Sequence, residues 1–284
     1  LYYLAFAGVV NVILNLFFVI VCHLGVAGVA LASMISQFIS AFLILRALLT
    51  GKEKYCLRLS EIRFDKRKAV GILQIGIPSA FQYSLFAFAN LFVQSSVNSF
   101  DHALVEGNSA AANADPLVYD MMAAFYTACS SFIAQNFGAR KKKRILQTYL
   151  ICLFYSFITS LVLGVGIYLA RYPFLYLFTS DKAVVEAGIT RLSIMALSYS
   201  ASAFMDASIA ASRGLGKTAV PTFVVVMGSC VFRIIWIYTI FAYFHTIQSL
   251  YILYVFSWGI TAIAENIYFF HVYRHTLTEK KELC

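Results

Sequence analysis

Charge is scarce along this chain of 284 residues, because only 12% of the residues are charged whereas 61% are hydrophobic. Soluble globular chains carry roughly a quarter charged residues. Proline is also rare, with four residues in all, so little interrupts the long apolar stretches. These shortages exclude a soluble globular domain and indicate an integral membrane protein.

Eight stretches are long and apolar enough for membrane-spanning helices, since a span needs roughly 20 mostly apolar residues. They lie near residues 3–22, 26–45, 70–98, 109–137, 145–170, 189–212, 220–244 and 250–272. Uncharged runs such as Val26 to Leu45 are too long for strands of a soluble core. The sequence therefore predicts an all-α integral membrane protein with eight transmembrane helices.

Positive charge is concentrated in alternate connections between these helices, which hold 18 of the 22 Lys and Arg residues. Loops rich in Lys and Arg stay in the cytoplasm. The opposite loops hold only Arg171 and Lys182. We therefore expect both chain ends to be cytoplasmic. The basic surface then suits anionic membrane lipid, and it lacks the interleaved aromatic residues that would indicate nucleic acid.

Motifs of enzymes and of metal sites are missing. The chain contains neither His-Glu-x-x-His nor Gly-x-Ser-x-Gly, and no His or Cys cluster has metal-ligand spacing. The six cysteines form no Cys-x-x-Cys pair, and we interpret them as reduced packing residues. The sequence predicts no enzyme, no cofactor and no metal site, with an intramembrane enzyme as the rival class of function.

Ionisable residues inside spans are costly to bury and indicate a functional site. Asp115, Asp120 and Asp206 are candidates for coupling or substrate binding. Asp115 lies at the depth of Gln94, and Asp120 at that of Asn90, so these amides join the candidates. On a helix turning about 100° per residue, Asp115 and Asp120 point about 140° apart, and we favour Asp115 as the cavity-facing acid. The alternative is that these carboxylates only bond neighbouring helices.

Two further charged residues and the prolines carry structural expectations. We expect Arg233 to pair with a carboxylate or with carbonyl groups, and Glu265 to reach the membrane interface. Pro78, Pro116 and Pro221 are expected to kink their helices, and each frees a carbonyl one turn earlier. In lipid, such a break persists only where protein or a water-filled cavity satisfies the backbone.

A basic connection, residues 50–69, separates the first two helices from the other six and is the best boundary between bundles. The sequence predicts units at 1–49 and 70–273, and a cytoplasmic tail at 274–284. The chain begins at Leu1 within an apolar segment, so we expect further helices of the same protein to precede it.

Several short motifs, in their order and spacing, resemble the C-terminal two thirds of a multidrug and toxic compound extrusion (MATE) transporter. The matching segments are Asn11 to Asn15, Gly25 to Ala32 with Ser36 and Gln37, Gly76 to Ser79 with Gln82, Gln135 to Arg140, Leu177 to Asp181, Arg213 to Gly216 with Pro221, and Arg233. Within these motifs the resemblance suggests structural roles for Pro78, Arg213, Gly214, Gly216 and Arg233.

The resemblance implies twelve helices in two six-helix lobes. Residues 1–49 would be the last two helices of the N-lobe, and 70–273 the complete C-lobe. It implies a secondary-active antiporter of the plasma membrane that exports cationic or amphipathic drugs in exchange for H⁺ or Na⁺. One branch of the family carries a Na⁺-linked glutamate where Phe86 stands here, so the coupling ion stays open. A lipid-linked oligosaccharide flippase of the same superfamily is the nearer alternative.

Overall fold

The computed structural model describes residues 2–50 and 57–276, which are built from helices and turns without a strand. Eight helical segments in this part of the chain are long and apolar enough to cross a membrane. They are Tyr2–Val21, Gly25–Thr50, Lys66–Val97, His102–Gly138, Lys142–Leu169, Lys182–Gly214, Ala219–Phe244 and Ile247–His275. The predicted number of spans is confirmed, and the chain is an all-α, multi-pass membrane protein.

Twelve α-helices make up these spans and their connections. They are α1 (Tyr2–Leu16), α2 (Gly25–Thr50), α3 (Lys66–Val97), α4 (His102–Ala112), α5 (Ala114–Gly138), α6 (Lys142–Leu169), α7 (Arg171–Tyr176), α8 (Lys182–Gly214), α9 (Ala219–Val225), α10 (Phe232–Trp236), α11 (Ala242–Phe244) and α12 (Ile247–His275). Short π-helical segments extend α1 and join α9, α10 and α11 into one continuous span.

The chain divides into two compact units, with the boundary between Lys66 and Arg67. The N-terminal unit holds the first two spans and the C-terminal unit the other six. Residues 51–56 of the predicted linker and 277–284 of the predicted tail lie outside the described residues, and so do Cys56 and Cys284. The assignment of the two units to lobes of a larger transporter stays a prediction.

A tight turn joins the two helices of the N-terminal unit. His23 and Gly25 both have positive φ angles, 54° and 53°, which reverse the chain in a few residues. The Asn11 side-chain amide then donates a 3.1 Å hydrogen bond to Ser36 Oγ on the opposite helix. Polar bonds of this kind hold apolar helices together in lipid, where burial alone supplies little attraction.

The fourth span is not the single helix that the sequence predicts near 109–137. It starts earlier and breaks at Asn113, between α4 and α5. The ring of Pro116 would clash with the carbonyl of Ala112, four residues earlier, if the helix continued without a break. Helix α4 ends at Ala112. The Asn113 side-chain amide donates to Ser109 O and Ala110 O, each at 3.1 Å, and so caps the last turn of α4. The break therefore precedes the proline.

Pro78 lies inside α3 without ending it. Its missing N–H leaves the carbonyl of Gln74 without the usual helical donor. The Thr218 hydroxyl, from the turn between α8 and α9, donates to this carbonyl at 3.3 Å. Gly216 has a φ of 76° in the same turn, a backbone conformation that favours glycine. The proline thus docks α3 onto the turn that follows α8.

Helix α8 lies at the centre of the C-terminal unit, packed against α4, α5, α6, α7 and α12. Glycines on its neighbours allow close approach. A Cβ atom added at Gly164 of α6 would overlap the carbonyl of Ala196, and one at Gly107 of α4 would lie 2.6 Å from Val184 O. Gly214 ends α8 at a similarly close approach, where an added Cβ atom would lie 2.7 Å from Ser130 O. The unit is therefore assembled around one buried helix.

Candidate functional site

A cavity of about 740 Å³ opens within the C-terminal unit, bounded chiefly by α3, α4, α5, α8 and α12. Its polar wall is formed by Gln82, Asn90, Gln94, Asn108, Ser109, Asp115, Arg191, Asp206 and Arg213. Its aromatic wall is formed by Tyr83, Phe86, Tyr119, Tyr126, Tyr251, Tyr254 and Trp258. This volume falls within the range of small-molecule sites, which are mostly apolar with a few placed polar groups.

Asp115 lies in the cavity wall, and Arg191 of α8 neutralises its charge. An Arg191 Nη donates to Asp115 Oδ2 at 2.5 Å, and the Tyr199 hydroxyl donates to Asp115 Oδ1 at the same distance. The other Arg191 Nη donates to Asn108 Oδ1 at 2.7 Å. The Arg191 side chain is 8% exposed and that of Asp115 25%. This cluster joins α4, α5 and α8 and is charge-balanced.

Gln94 extends this cluster towards α3. Gln94 Oε1 accepts from the side-chain amide of Asn108 at 3.3 Å, and the side-chain amide of Gln94 donates to Asn98 Oδ1 at 3.0 Å. The predicted polar contact at the depth of Asp115 therefore runs through Asn108 and Arg191 rather than directly between Gln94 and the carboxylate.

Asp206 also lies in the cavity wall, on α8, and its surroundings differ from those of Asp115. It is half-buried, and among the described residues it takes part in no hydrogen bond and no ion pair. Arg213 lies two turns further along the same helix face and interacts with it electrostatically. The guanidinium of Arg213 does not bond Asp206 but donates to Gln82 Oε1 at 2.9 Å. Asp206 is thus a carboxylate open to a ligand.

Asp120 lies outside the cavity wall. Its side chain is exposed on α5 and has no hydrogen bond or ion pair with any residue that the structure describes. Asp115 and Asp120 are therefore separated by the turn of the helix, as the helical periodicity predicts.

Arg233 narrows one expectation drawn from the sequence: of the two expected partners, a carboxylate or a carbonyl group, the described residues supply the carbonyl. The side chain is fully buried, and it donates to Asn90 Oδ1 at 2.7 Å and to Ser257 Oγ at 3.3 Å. The rings of Phe86 and Tyr254 lie against its guanidinium, each centroid 4.6 Å away. Cation–π attraction therefore adds to the hydrogen bonds in stabilising the buried charge.

Glu265 corrects a second expectation. The sequence places it near the cytoplasmic interface, but its side chain is fully buried in α12. Tertiary packing of α12 against α8 and the seventh span, rather than depth along α12, decides this burial.

Sequence reasoning missed Arg191, Tyr199 and Asn108 as members of the polar cluster. Arg191 carries a usable signal, since an arginine within a span requires a partner and Asp115 is one of the few acids available. The tyrosine and the asparagine carry no such signal, because neither is charged and Asn108 lies just outside the span predicted near 109–137. Among the described residues no group of three or more His, Cys, Asp or Glu side chains is arranged to hold a metal ion.

Comparison with known proteins supplies a family. The MatE family profile matches residues 78–239. The probable multidrug resistance protein YpnP of Bacillus subtilis is 30% identical over 144 residues, which are 50% of this chain and 32% of YpnP. The probable multidrug resistance protein NorM of Thermotoga maritima is 24% identical over 204 residues, 70% of this chain and 43% of NorM. The chain thus spans less than half the length of these relatives.

Solved structures share the fold. A MOP superfamily transporter from Pyrococcus furiosus superposes with a TM-score of 0.87 at 19% identity, covering 95% of this chain and 61% of that one. The Vibrio cholerae MATE transporter VcmN gives a TM-score of 0.83 at 18% identity, covering 96% of this chain and 62% of that one. At these identities the likeness concerns the fold.

Proposed function

The chain belongs to the MatE family, and from that premise we propose that it serves secondary-active antiport, exporting cationic or amphipathic drugs in exchange for H⁺ or Na⁺. The family comprises transporters, so the rival assignment as an intramembrane enzyme is wrong. The names of its relatives support drugs as substrates, since both YpnP and NorM are described as probable multidrug resistance proteins.

One observation carries the proposal: Asp206 presents an unpaired carboxylate inside a cavity walled by aromatic rings. A carboxylate supplies the counter-charge for a cation, and Tyr119, Tyr254 and Trp258 supply ring faces that attract cations within about 6 Å. The same carboxylate can hold a proton or Na⁺ when the drug is absent. Competition for one carboxylate couples the two fluxes, because occupancy by one cation excludes the other.

Asp115, which the sequence favours as the exchanging acid, is better suited to shaping the cavity. Its negative charge already has a partner in Arg191, so a cationic drug would gain less there than at Asp206. We assign Gln94 to the same supporting cluster. Gln82 and Asn90 hold Arg213 and Arg233 in place, and thereby keep two guanidinium groups away from the free carboxylate. Asp120, exposed and outside the cavity, would have no direct part.

The pathway needs more than this unit. The chain covers about three fifths of the solved transporters that share its fold. We propose that further helices of the same protein complete the route and that the membrane lipid surrounds it. Under this proposal the units are lobes joined by the basic connection, with both ends of this sequence in the cytoplasm. The chain alone is then expected to bind substrate without transporting it.

Binding of tetraphenylphosphonium, a lipophilic cation, to the purified chain in lipid nanodiscs tests the role of Asp206. We expect Asp206→Asn to weaken binding about tenfold or more, which corresponds to about 1.4 kcal/mol of lost attraction. Asp120→Asn is the matched control, with the same chemical change on an exposed acid, and should bind like the parent. Titrations with added NaCl or choline chloride at several pH values would separate Na⁺ from H⁺ as the competitor. Equal binding by parent and Asp206→Asn would refute the proposal.

Three arginines favour a second candidate, the flipping of anionic lipid-linked substrates. Arg191 and Arg213 line the cavity, and Arg233 lies buried behind Phe86. The lining itself carries two positive and two negative side chains, which balance each other. The added charge of Arg233 makes the region net positive. A polyprenyl pyrophosphate offered in the same assay decides between the candidates. Tight binding that Arg213→Gln abolishes and Asp206→Asn strengthens would favour the flippase.

A further inference from the structure

Glu265 is a buried acid that the antiport scheme above does not use. Its side chain is fully buried, and neither carboxylate oxygen has a hydrogen-bond donor within the part of the chain that the structure describes. An ionised carboxylate in such a place would be strongly unfavourable, because burial removes its hydration and no partner compensates. The neutral, protonated form is the one that this packing accommodates.

Contacts between neighbouring helices place Glu265 level with Asp206. The Tyr149 hydroxyl of α6 bonds Ser208 of α8 at 3.0 Å and Asn266 of α12 at 2.6 Å. Residues 208 and 266 therefore lie at one depth in the bundle. Asp206 and Glu265 each lie within two residues of that level, or about 3 Å along their helices. Asp206 lines the cavity, whereas Glu265 is fully buried and is not one of the lining residues.

Arg213 links the two acids. It interacts electrostatically with both Asp206 and Glu265, yet among the described residues it forms an ion pair with neither. Its guanidinium donates to Gln82 Oε1, while its Nε is buried and finds no acceptor in the same part of the chain. The unused Nε donor of Arg213 and the partnerless carboxyl of Glu265 would suit each other. A switch between them would have Arg213 bonded to Gln82 in one state and to Glu265 in the other.

We propose that Glu265 is a second proton-binding site of the transport cycle, which releases its proton when a cation occupies Asp206 and displaces Arg213 from the cavity. The inference rests on the proposed function. A cationic drug at Asp206 repels the Arg213 guanidinium. The guanidinium then turns to Glu265 and stabilises its carboxylate, and the Glu265 proton passes to water. Return of a proton to Glu265 restores the bond between Arg213 and Gln82.

Other charged and titratable groups surround α12 in this unit. On α8 they are Lys182, Glu186, Arg191, Tyr199, Asp206 and Arg213, and in the seventh span Cys230, Arg233, Tyr238 and Tyr243. Tyr119 of α5 and Lys142 and Tyr149 of α6 contact α12. On α12 itself they are Tyr251, Tyr254, Tyr268, His271, Tyr273, Arg274 and His275. Arg233 is held by Asn90 and Ser257, and Tyr149 by Ser208 and Asn266. Arg213 is the cation among them that acts electrostatically on Glu265 and has an unused buried donor, so it is the group we assign to the switch.

Infrared spectroscopy of the full chain in nanodiscs tests whether Glu265 holds a proton. We expect a carbonyl band of a protonated carboxyl at neutral pH, slow to shift in D₂O, that is lost in Glu265→Gln. Glu186→Gln, which alters an exposed glutamate, should keep the band. Glu265→Asp retains the acid and should also keep it, which guards against a folding defect in Glu265→Gln. A band that persists unchanged in Glu265→Gln would overturn the proposal.

Proton release on binding tests the coupling. Tetraphenylphosphonium added to weakly buffered protein should release protons, and Glu265→Gln should release about one proton fewer per bound cation. Arg213→Gln should keep the infrared band but lose the same share of the release. Equal release by parent and Glu265→Gln refutes the coupling. If the parent does not bind the cation, the proposed function and the coupling both fail, whereas the infrared band still decides whether Glu265 is protonated.

Discussion

Arg191 and Asp115 form an ion pair at 2.5 Å between α8 and α5, in the wall of the cavity. The Tyr199 hydroxyl and the Asn108 side chain complete the hydrogen bonds of the pair. Two charges are thereby held within an apolar bundle, and three helices are tied together at the same point. Because the two charges neutralise each other, neither is free to bind a ligand ion. Asp206 is then the carboxylate of the cavity wall that remains open to a ligand.

Removing one member of this pair should destabilise the chain. Asp115→Asn leaves the Arg191 charge buried without compensation, a loss of about 3–5 kcal/mol for fully buried pairs. Since Asp115 is a quarter exposed, we expect a smaller loss, about 1–3 kcal/mol, from denaturation in detergent.

Two further variants, Arg191→Gln alone and Asp115→Asn combined with Arg191→Gln, complete a double-mutant cycle. The double variant should lose less than the sum of the two single variants, because no uncompensated charge remains. Strict additivity would mean that the two side chains do not stabilise each other.

Close packing at Gly164 gives a second prediction. Gly164→Ala would drive a methyl group into the carbonyl of Ala196, and we expect a loss of about 1–3 kcal/mol as α6 and α8 move apart. Gly166→Ala, two residues away on the same helix, meets no atom within 4 Å and should be neutral or slightly stabilising. Thermal unfolding of the two variants side by side measures the contrast, and equal midpoints would contradict it.

Tyr149 joins α6, α8 and α12 through its hydroxyl group. Tyr149→Phe leaves the ring in place but removes the donor to Asn266 and the bond with Ser208, so we expect a loss of about 1–3 kcal/mol. Tyr155→Phe, on the exposed face of α6, is the control and should change stability little. A small effect at both positions would show that other contacts align these helices.

Membrane orientation remains a prediction from the distribution of Lys and Arg. Single cysteines at Lys142 or Arg67, in a Cys-free background, should react with an impermeant maleimide only from the cytoplasmic side. Cysteines at Glu106 or Gln248 should react only from outside. Labelling from the reverse side at either pair would exclude the proposed topology.

The number of spans followed from the sequence because length and apolarity are local properties. The stretches near 189–212 and 250–272 are each long and apolar enough to span a membrane, whichever helices lie next to them. The boundaries were less accurate. Pro116 predicts a distortion one turn earlier, but the proline alone does not specify that the helix ends at Ala112 and begins again at Ala114.

The candidate acids were also visible in the sequence, since a charged residue in an apolar segment is conspicuous. Their environments were not. Asp115 and Asp206 are both aspartates within predicted spans, and the sequence does not distinguish them. In the structure Asp115 is paired with Arg191 and Asp206 is not. Pairing depends on residues 76 positions apart meeting across two helices, which no local pattern specifies.

By itself the sequence thus determined the class of protein, the count of helices and the few residues whose charge demands an explanation. Composition and periodicity suffice for these, because the membrane acts on each segment separately. Only the tertiary structure decided that Asp206 is open, that Arg233 rests between aromatic rings, and that Glu265 is enclosed rather than near the interface. Those outcomes depend on which faces of separate helices meet, and the long-range packing around α8 sets that arrangement.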